Sequence, residues 1–240
     1  MRSYRLLLIL TLLVLLSFAF DQLSWLSSPL YTLIAILLTR MLSREDRAQG
    51  WHNRLYLLLG VVVVLSQWTW LLTPLGWAFS GVPVVLFWTY FTGWSLIRLV
   101  KQLAKEHQVD GEVLMGAVAG YLLLGITAGI VMSALETIQP NSFALLDLKI
   151  HDGLGDHLNV ILKYQRFAEI NYYAFVCLTT LGLGDIKPLL PAAQMITVVT
   201  SIVGPMYMVV LMGVLIGRLS GHSKEITRGS SERSEFSSDK

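Results

Sequence analysis

The chain has 240 residues, of which 54% are hydrophobic and only 14% charged, against about 25% charged in an ordinary soluble domain. A mean hydropathy of +0.61 and a net charge of +2 from 18 scattered basic residues argue against a soluble enzyme, a disordered chain or a nucleic-acid binder. The one cysteine, Cys177, excludes an intrachain disulfide framework and a cysteine-based zinc site.

An integral membrane protein remains, and a spanning helix needs about 20 mostly apolar residues. Six runs qualify in chain order: Tyr4–Phe20, Trp25–Leu42, Leu55–Thr73, Trp77–Val100, Val113–Leu135 and Ala192–Leu219. The third contains the unbroken stretch Val61–Leu65, and the fifth is rich in glycine and alanine. The predicted fold class is therefore all-α, with six transmembrane helices. Residues 1–100 form a four-helix N-terminal membrane region, 101–112 a polar linker, 113–219 a second membrane unit, and 220–240 a Ser- and charge-rich disordered tail. Met1–Arg5 and the apolar run after it also fit a cleavable signal peptide, which would leave the other five spans in place. Pro74–Gly76 is a tight turn.

Basic residues set the orientation. With the N-terminus inside, only Lys149, Lys163, Arg166 and Lys187 lie outside, leaving fourteen of the 18 inside. Both termini are then expected in the cytoplasm, and the composition is compatible with a bacterial inner membrane. Arg40 and Arg98, near helix ends, are expected to snorkel to the interface. The fourth span carries only Arg98, and a single charge supplies about 2.3 kcal/mol per 100 mV, too little for a voltage sensor.

Asn171–Pro191 breaks the pattern. It holds ten apolar residues up to Thr180, too few to span, followed by Leu181-Gly182-Leu183-Gly184-Asp185. That length beside two spans suggests a re-entrant element. Non-helical backbone at membrane depth persists only in protein or against water, so its carbonyls need a partner such as a dehydrated cation. Alternating glycines permit positive φ and let successive carbonyls face one way. A helix ending near Thr180 turns its partially negative end toward that cation.

Thr179-Thr180-Leu181-Gly182-Leu183-Gly184-Asp185 resembles the signature filter of potassium channels. Tyr172 and Tyr173 stand where that family often has an aromatic pair, and Gly204 follows Asp185 at the spacing of its inner-helix glycine. Residues 113–219 resemble the pore module of prokaryotic potassium channels. The resemblance implies passive potassium conduction by a homotetramer in the lipid bilayer, with potassium as permeant ion, no cofactor, no nucleic-acid partner and no enzyme activity. It implies that the carbonyls of Thr180, Leu181, Gly182 and Leu183, with the Thr180 hydroxyl, hold potassium, that Gly184 completes the filter, and that Thr179 and Asp185 support it. Leu183 replaces the usual Tyr or Phe and removes a phenolic brace, which points to a weakly selective cation channel as the alternative. A non-conducting subunit that kept the fold is the third reading. Lys187 near the mouth predicts lower conductance, tempered by salt screening.

Gly204-Pro205 marks either a gating hinge or a fixed bend. Met208 and Met212 share a helix face, suited to the cavity or to packing. Gly182-Leu183-Gly184-Asp185 is also similar to the GxGD motif of intramembrane aspartyl proteases, but that chemistry needs a second carboxylate, and none lies mid-membrane. His151 to His157 offers two histidines and two aspartates for a metal ion, or simply a polar outer turn. His107, Asp110 and Glu112 are a weak proton-sensing candidate. Trp68, Trp70, Trp77, Trp88 and Trp94 suggest interfacial positions, and Cys177 a packing role.

Overall fold

The computed structural model describes residues 2–20, 26–45, 50–72, 81–105, 111–144, 156–211 and 213. The expected turn at Pro74–Gly76, His107 and Asp110, residues 151–155 of the histidine-rich segment, Trp77, Met212 and the tail lie outside these residues. Seven helices and two short strands follow in order: α1 (Arg2–Ala19), α2 (Ser27–Glu45), α3 (Gly50–Leu72), α4 (Gly81–Lys105), α5 (Gly111–Ile138), β1 (Phe143–Ala144), α6 (Asp156–Leu178), β2 (Lys187–Pro188) and α7 (Pro191–Leu211). The described structure is overwhelmingly helical.

Among the described residues three stretches are long and apolar enough to cross a membrane: Pro83–Lys105, Gly111–Ile138 and Pro191–Leu211. At 1.5 Å per residue the 21 residues of the last reach about 31 Å, the thickness of a hydrocarbon core. Tyr4–Phe18 and Ser27–Ser43 are shorter apolar helices. α3 opens on Trp51-His52-Asn53-Arg54 and carries Ser66-Gln67 near its end, which dilutes its central Val61–Leu65 run.

α5 is the hub. α1, α4 and α6 all pack on it, while α2 and α3 complete a layer through α1 and α4. A core of Leu7, Val14, Ile34, Leu38, Tyr56, Phe91, Leu99, Leu123 and Ile126 joins α1 to α5. Trp88 is buried there, edge-on to Tyr31 at 5.3 Å, and Trp94 lies 5.6 Å from Tyr90. These two tryptophans pack between helices, whereas Trp68 is exposed. Arg98 does more than snorkel. Its guanidinium lies 4.4 Å from the Tyr56 ring centre and 5.6 Å from that of Trp94, and it donates to the His52 carbonyl at 3.4 Å. Tyr56 and Ser95 share a 2.7 Å hydrogen bond between α3 and α4. At the other edge Arg5 pairs with Glu112 at 3.5 Å, tying the start of α1 to that of α5.

The pore-helix expectation needs extending. α6 runs 23 residues from Asp156, not ten. Its first half mixes Lys163, Gln165, Arg166 and Glu169 with Val160, Ile161 and Phe167, so it fails an apolar-run criterion while retaining helical spacing. Phe167 anchors this half against Phe18 of α1 at 5.7 Å and Tyr31 of α2 at 6.3 Å. A second, smaller core of Met132, Phe143, Ile170, Tyr173, Ala174, Cys177, Ile186 and Ala193 holds the rest of α6 to α5 and to the start of α7. Cys177 packs in it, as expected from its type.

Candidate functional site

The loop between α6 and α7 begins at a well-defined helix end. The amide of Leu181 donates to the Val176 carbonyl at 3.0 Å and that of Thr180 to the Cys177 carbonyl at 3.0 Å. This paired 6→1 and 5→2 pattern is a Schellman cap, whose C′ residue is normally a left-handed glycine. Here that residue is Thr180, at φ 58°. A β-branched residue in this region is a genuine outlier and stores about 1–3 kcal/mol, which the cap bonds offset. The Thr179 hydroxyl adds a 2.7 Å bond to the Phe175 carbonyl, and the Thr180 hydroxyl donates to its neighbour's carbonyl at 2.7 Å.

Beyond the cap the handedness alternates. Gly182 has φ 57° and Gly184 φ 76°, whereas Leu181, Leu183 and Asp185 stay on the negative side. Alternation of this kind gathers successive N–H groups on one side of the strand and carbonyls on the other. Among the described residues no donor reaches the carbonyls of Thr180, Leu181, Gly182 or Leu183. Every residue from Thr179 to Asp185 is exposed in the single chain, Leu181 at 63% and Leu183 at 58%.

The far end of the loop is anchored too. Tyr172 of α6 donates its hydroxyl to Asp185 Oδ2 at 2.8 Å, and the Ile186 amide donates to Asp185 Oδ1 at 3.0 Å. The Tyr172 bond holds the Asp185 carboxyl below its usual range, and the same bond raises the Tyr172 phenol. A phenol thus braces the far end of the loop against α6. Ile186 is buried, and β2 pairs antiparallel with β1, Phe143 opposite Pro188 and Ala144 opposite Lys187. The Leu189 amide donates to the Ser142 carbonyl at 2.8 Å, while Glu136 accepts from the amides of Asn141 (3.0 Å) and Phe143 (3.2 Å). Lys187 remains exposed beside this tie.

Of the expected aromatic pair, Tyr172 faces the loop end and Tyr173 turns inward, 3.2 Å from the Thr197 hydroxyl of α7 and 5.6 Å from the Phe143 ring. α6 rests in a groove of small residues on α5. A Cβ on Gly129 would lie 3.2 Å from the Asn171 Cα, and one on Gly125 2.9 Å from Phe175 Cδ1. Gly204 and Pro205 sit within α7, which continues through both. Gly204 is buried against the end of α6.

Sequence reasoning passed over Tyr121, Glu136, Ser142, Asn171 and Tyr207. Tyr121 donates to the Leu178 carbonyl at 3.4 Å and Tyr207 to that of Ala117 at 2.9 Å. One signal for this groove was available, since Gly116, Gly120, Gly125 and Gly129 form two small-xxx-small pairs, a recurrent packing device in membrane helices.

Long apolar helices beside an exposed, carbonyl-bearing loop are the features of a membrane protein. Residues 148–220, which hold α6, the loop and α7, match a family model described as "Ion channel". That match supports an ion channel and passive ion conduction. No curated protein and no solved structure matches the chain.

Proposed function

We propose that the chain forms a potassium-selective channel in which four copies surround one axis. The carbonyls of Thr180, Leu181, Gly182 and Leu183, with the Thr180 hydroxyl, take the place of water around a dehydrated potassium ion. The observation that carries this reading is the left-handed backbone at every second residue, Thr180, Gly182 and Gly184, on a loop between two membrane-length apolar helices. A loop with free carbonyls has no place against lipid. Its exposure in one chain therefore calls for protein or water on its far side. α7 makes the same demand, because only 11% of its apolar window is buried within the chain against 61% for α5. Neighbouring copies would cover part of that surface and bring four loops together.

In this reading α6 and the loop form a re-entrant element, α1 to α3 also cross the bilayer to give six spans, and the segments 43–54 and 101–112 face the cytoplasm. Reconstitution into liposomes tests it. Flux should be carried by potassium and rubidium over sodium, and the reversal potential in asymmetric solutions should follow the potassium gradient. A reversal potential indifferent to exchanging potassium for sodium overturns potassium selectivity. It would favour the second reading, a weakly selective monovalent cation channel, which the exposed, hydroxyl-free Leu183 side chain recommends.

A further inference from the structure

We infer that Gly204 is a positioning residue for the filter: it seats the carbonyl of Leu178, with Tyr121 as the second support, and so fixes the helix end from which the loop departs. The inference rests on the potassium-selective reading of that loop.

Leu178 is the last residue of α6 and is buried. Its carbonyl belongs to the final turn, where helix carbonyls have no intrahelical partner. Two elements meet it. The Tyr121 hydroxyl of α5 donates to it at 3.4 Å. From α7, the backbone of Gly204 approaches so closely that a Cβ there would collide with the Leu178 oxygen and lie 2.9 Å from its carbonyl carbon and 3.2 Å from its Cα. The obstacle is backbone, so no side-chain rotation relieves it.

The contact is consequential because Leu178 sits inside the cap. The cap bonds run to Cys177 and Val176, just before it, from Thr180 and Leu181, just after it. Thr180 is held there in a conformation that disfavours a β-branched residue. A shift of the Leu178 peptide therefore moves the middle of the cap and the first carbonyls of the loop, whose next side-chain tie is Asp185 to Tyr172. α7 is itself pinned close by. Tyr207, three residues after Gly204, donates to the Ala117 carbonyl at 2.9 Å, and its ring lies 5.9 Å from that of Tyr121. The three helices of the pore segment thus meet at one carbonyl, and the glycine is the residue that lets them.

A hinge and a seat predict different outcomes. In a hinge, Gly204→Ala changes how often the channel opens and leaves its ion preference alone. In a seat, the added methyl displaces the loop origin. The test uses the full chain reconstituted in liposomes, as wild type, Gly204→Ala and Tyr121→Phe. Potassium-over-sodium permeability is measured alongside hydrogen exchange of the peptide covering 179–181. The seat predicts that Gly204→Ala lowers the permeability ratio about tenfold, equivalent to ~1.4 kcal/mol, and speeds exchange by a similar factor. Tyr121→Phe, which removes one oxygen and adds no volume, should move both quantities the same way by about threefold. It decides the question if Gly204→Ala fails to assemble. Unchanged permeability ratio and unchanged exchange in the variants, with altered opening, overturn the seat and restore the hinge while leaving the channel reading intact. A wild type without potassium preference overturns the potassium-selective reading instead. Exchange over 179–181, which needs no ion flow, then decides the seat by itself.

Discussion

The N-terminal region and the pore segment draw on the same apolar residue types and dispose of them in opposite ways. In α1 to α4 the large side chains interlock, with Leu7, Ile34, Leu38, Tyr56 and Phe91 fully buried, and the charge of Arg98 is held over aromatic faces. In the proposed six-span arrangement the exposed residues of α1 and α3, such as Ile9, Leu58 and Val61, would need nothing more than lipid, which is as apolar as they are. In the pore segment α7 shows Met195, Val199, Ile202, Met206 and Val209 to the outside, beside a loop whose backbone no lipid can satisfy. One region finds its packing within the chain, and the other leaves an apolar helix and a bare loop uncovered. Function is to be sought in the second.

The strongest way to break this comparison is at the glycines of the loop. Gly182→Ala or Gly184→Ala places a side chain at φ 57° or 76°, where a non-glycine residue costs about 1–2 kcal/mol. Selective potassium flux should disappear while the protein still assembles, as judged by liposome flux and size-exclusion chromatography. Retained selectivity would remove the filter assignment. In the other region Arg98→Ala deletes the stack on Tyr56 and Trp94. It should lower thermal stability in detergent by about 1 kcal/mol and leave ion selectivity unchanged; a selectivity change would show that the two regions are not separable.

Tyr172→Phe sharpens the comparison inside the pore segment. Losing the hydroxyl that braces Asp185 should reduce the potassium-over-sodium ratio by about threefold. The sign of the pH dependence comes from the same bond. It holds Asp185 below its usual range, so its contribution is fully present above about pH 4 and is lost only as pH falls through the lowered value. Wild-type selectivity should therefore be flat from pH 8 to 5, and a loss within that window would assign the control to another group. The smallest effect is expected at Lys187→Thr, a rise in conductance of up to about twofold in dilute salt that vanishes near 1 M, where the screening length is about 3 Å.

Much of this arrangement was legible in the sequence for a physical reason. A spanning helix is a property of composition over some twenty residues, and Gly182 and Gly184 announce unusual backbone by type alone. The exact helix end was not legible, because Thr180 occupies a left-handed position that glycine normally fills. The first half of α6 was hidden by its polar residues, and it is held as a helix partly by Phe167 docking on Phe18 and Tyr31, which are distant in sequence. Arg98 read as an anchor because nothing local reveals that Tyr56, forty-odd residues earlier, lies under it. Gly204 read only as a hinge or a fixed bend for the same reason, since its neighbour Leu178 sits on another helix.

The two-residue pairing of Phe143–Ala144 with Lys187–Pro188 is the least conspicuous element of the molecule, and it has a broad effect. Together with the helix cap it gives the short ribbon between Thr180 and Asp185 two fixed abutments, both built from the same polypeptide. Its curvature is thereby set within the single chain. In the proposed four-chain channel each protomer would bring a finished quadrant of the mouth, and assembly would have only to align four quadrants rather than shape them.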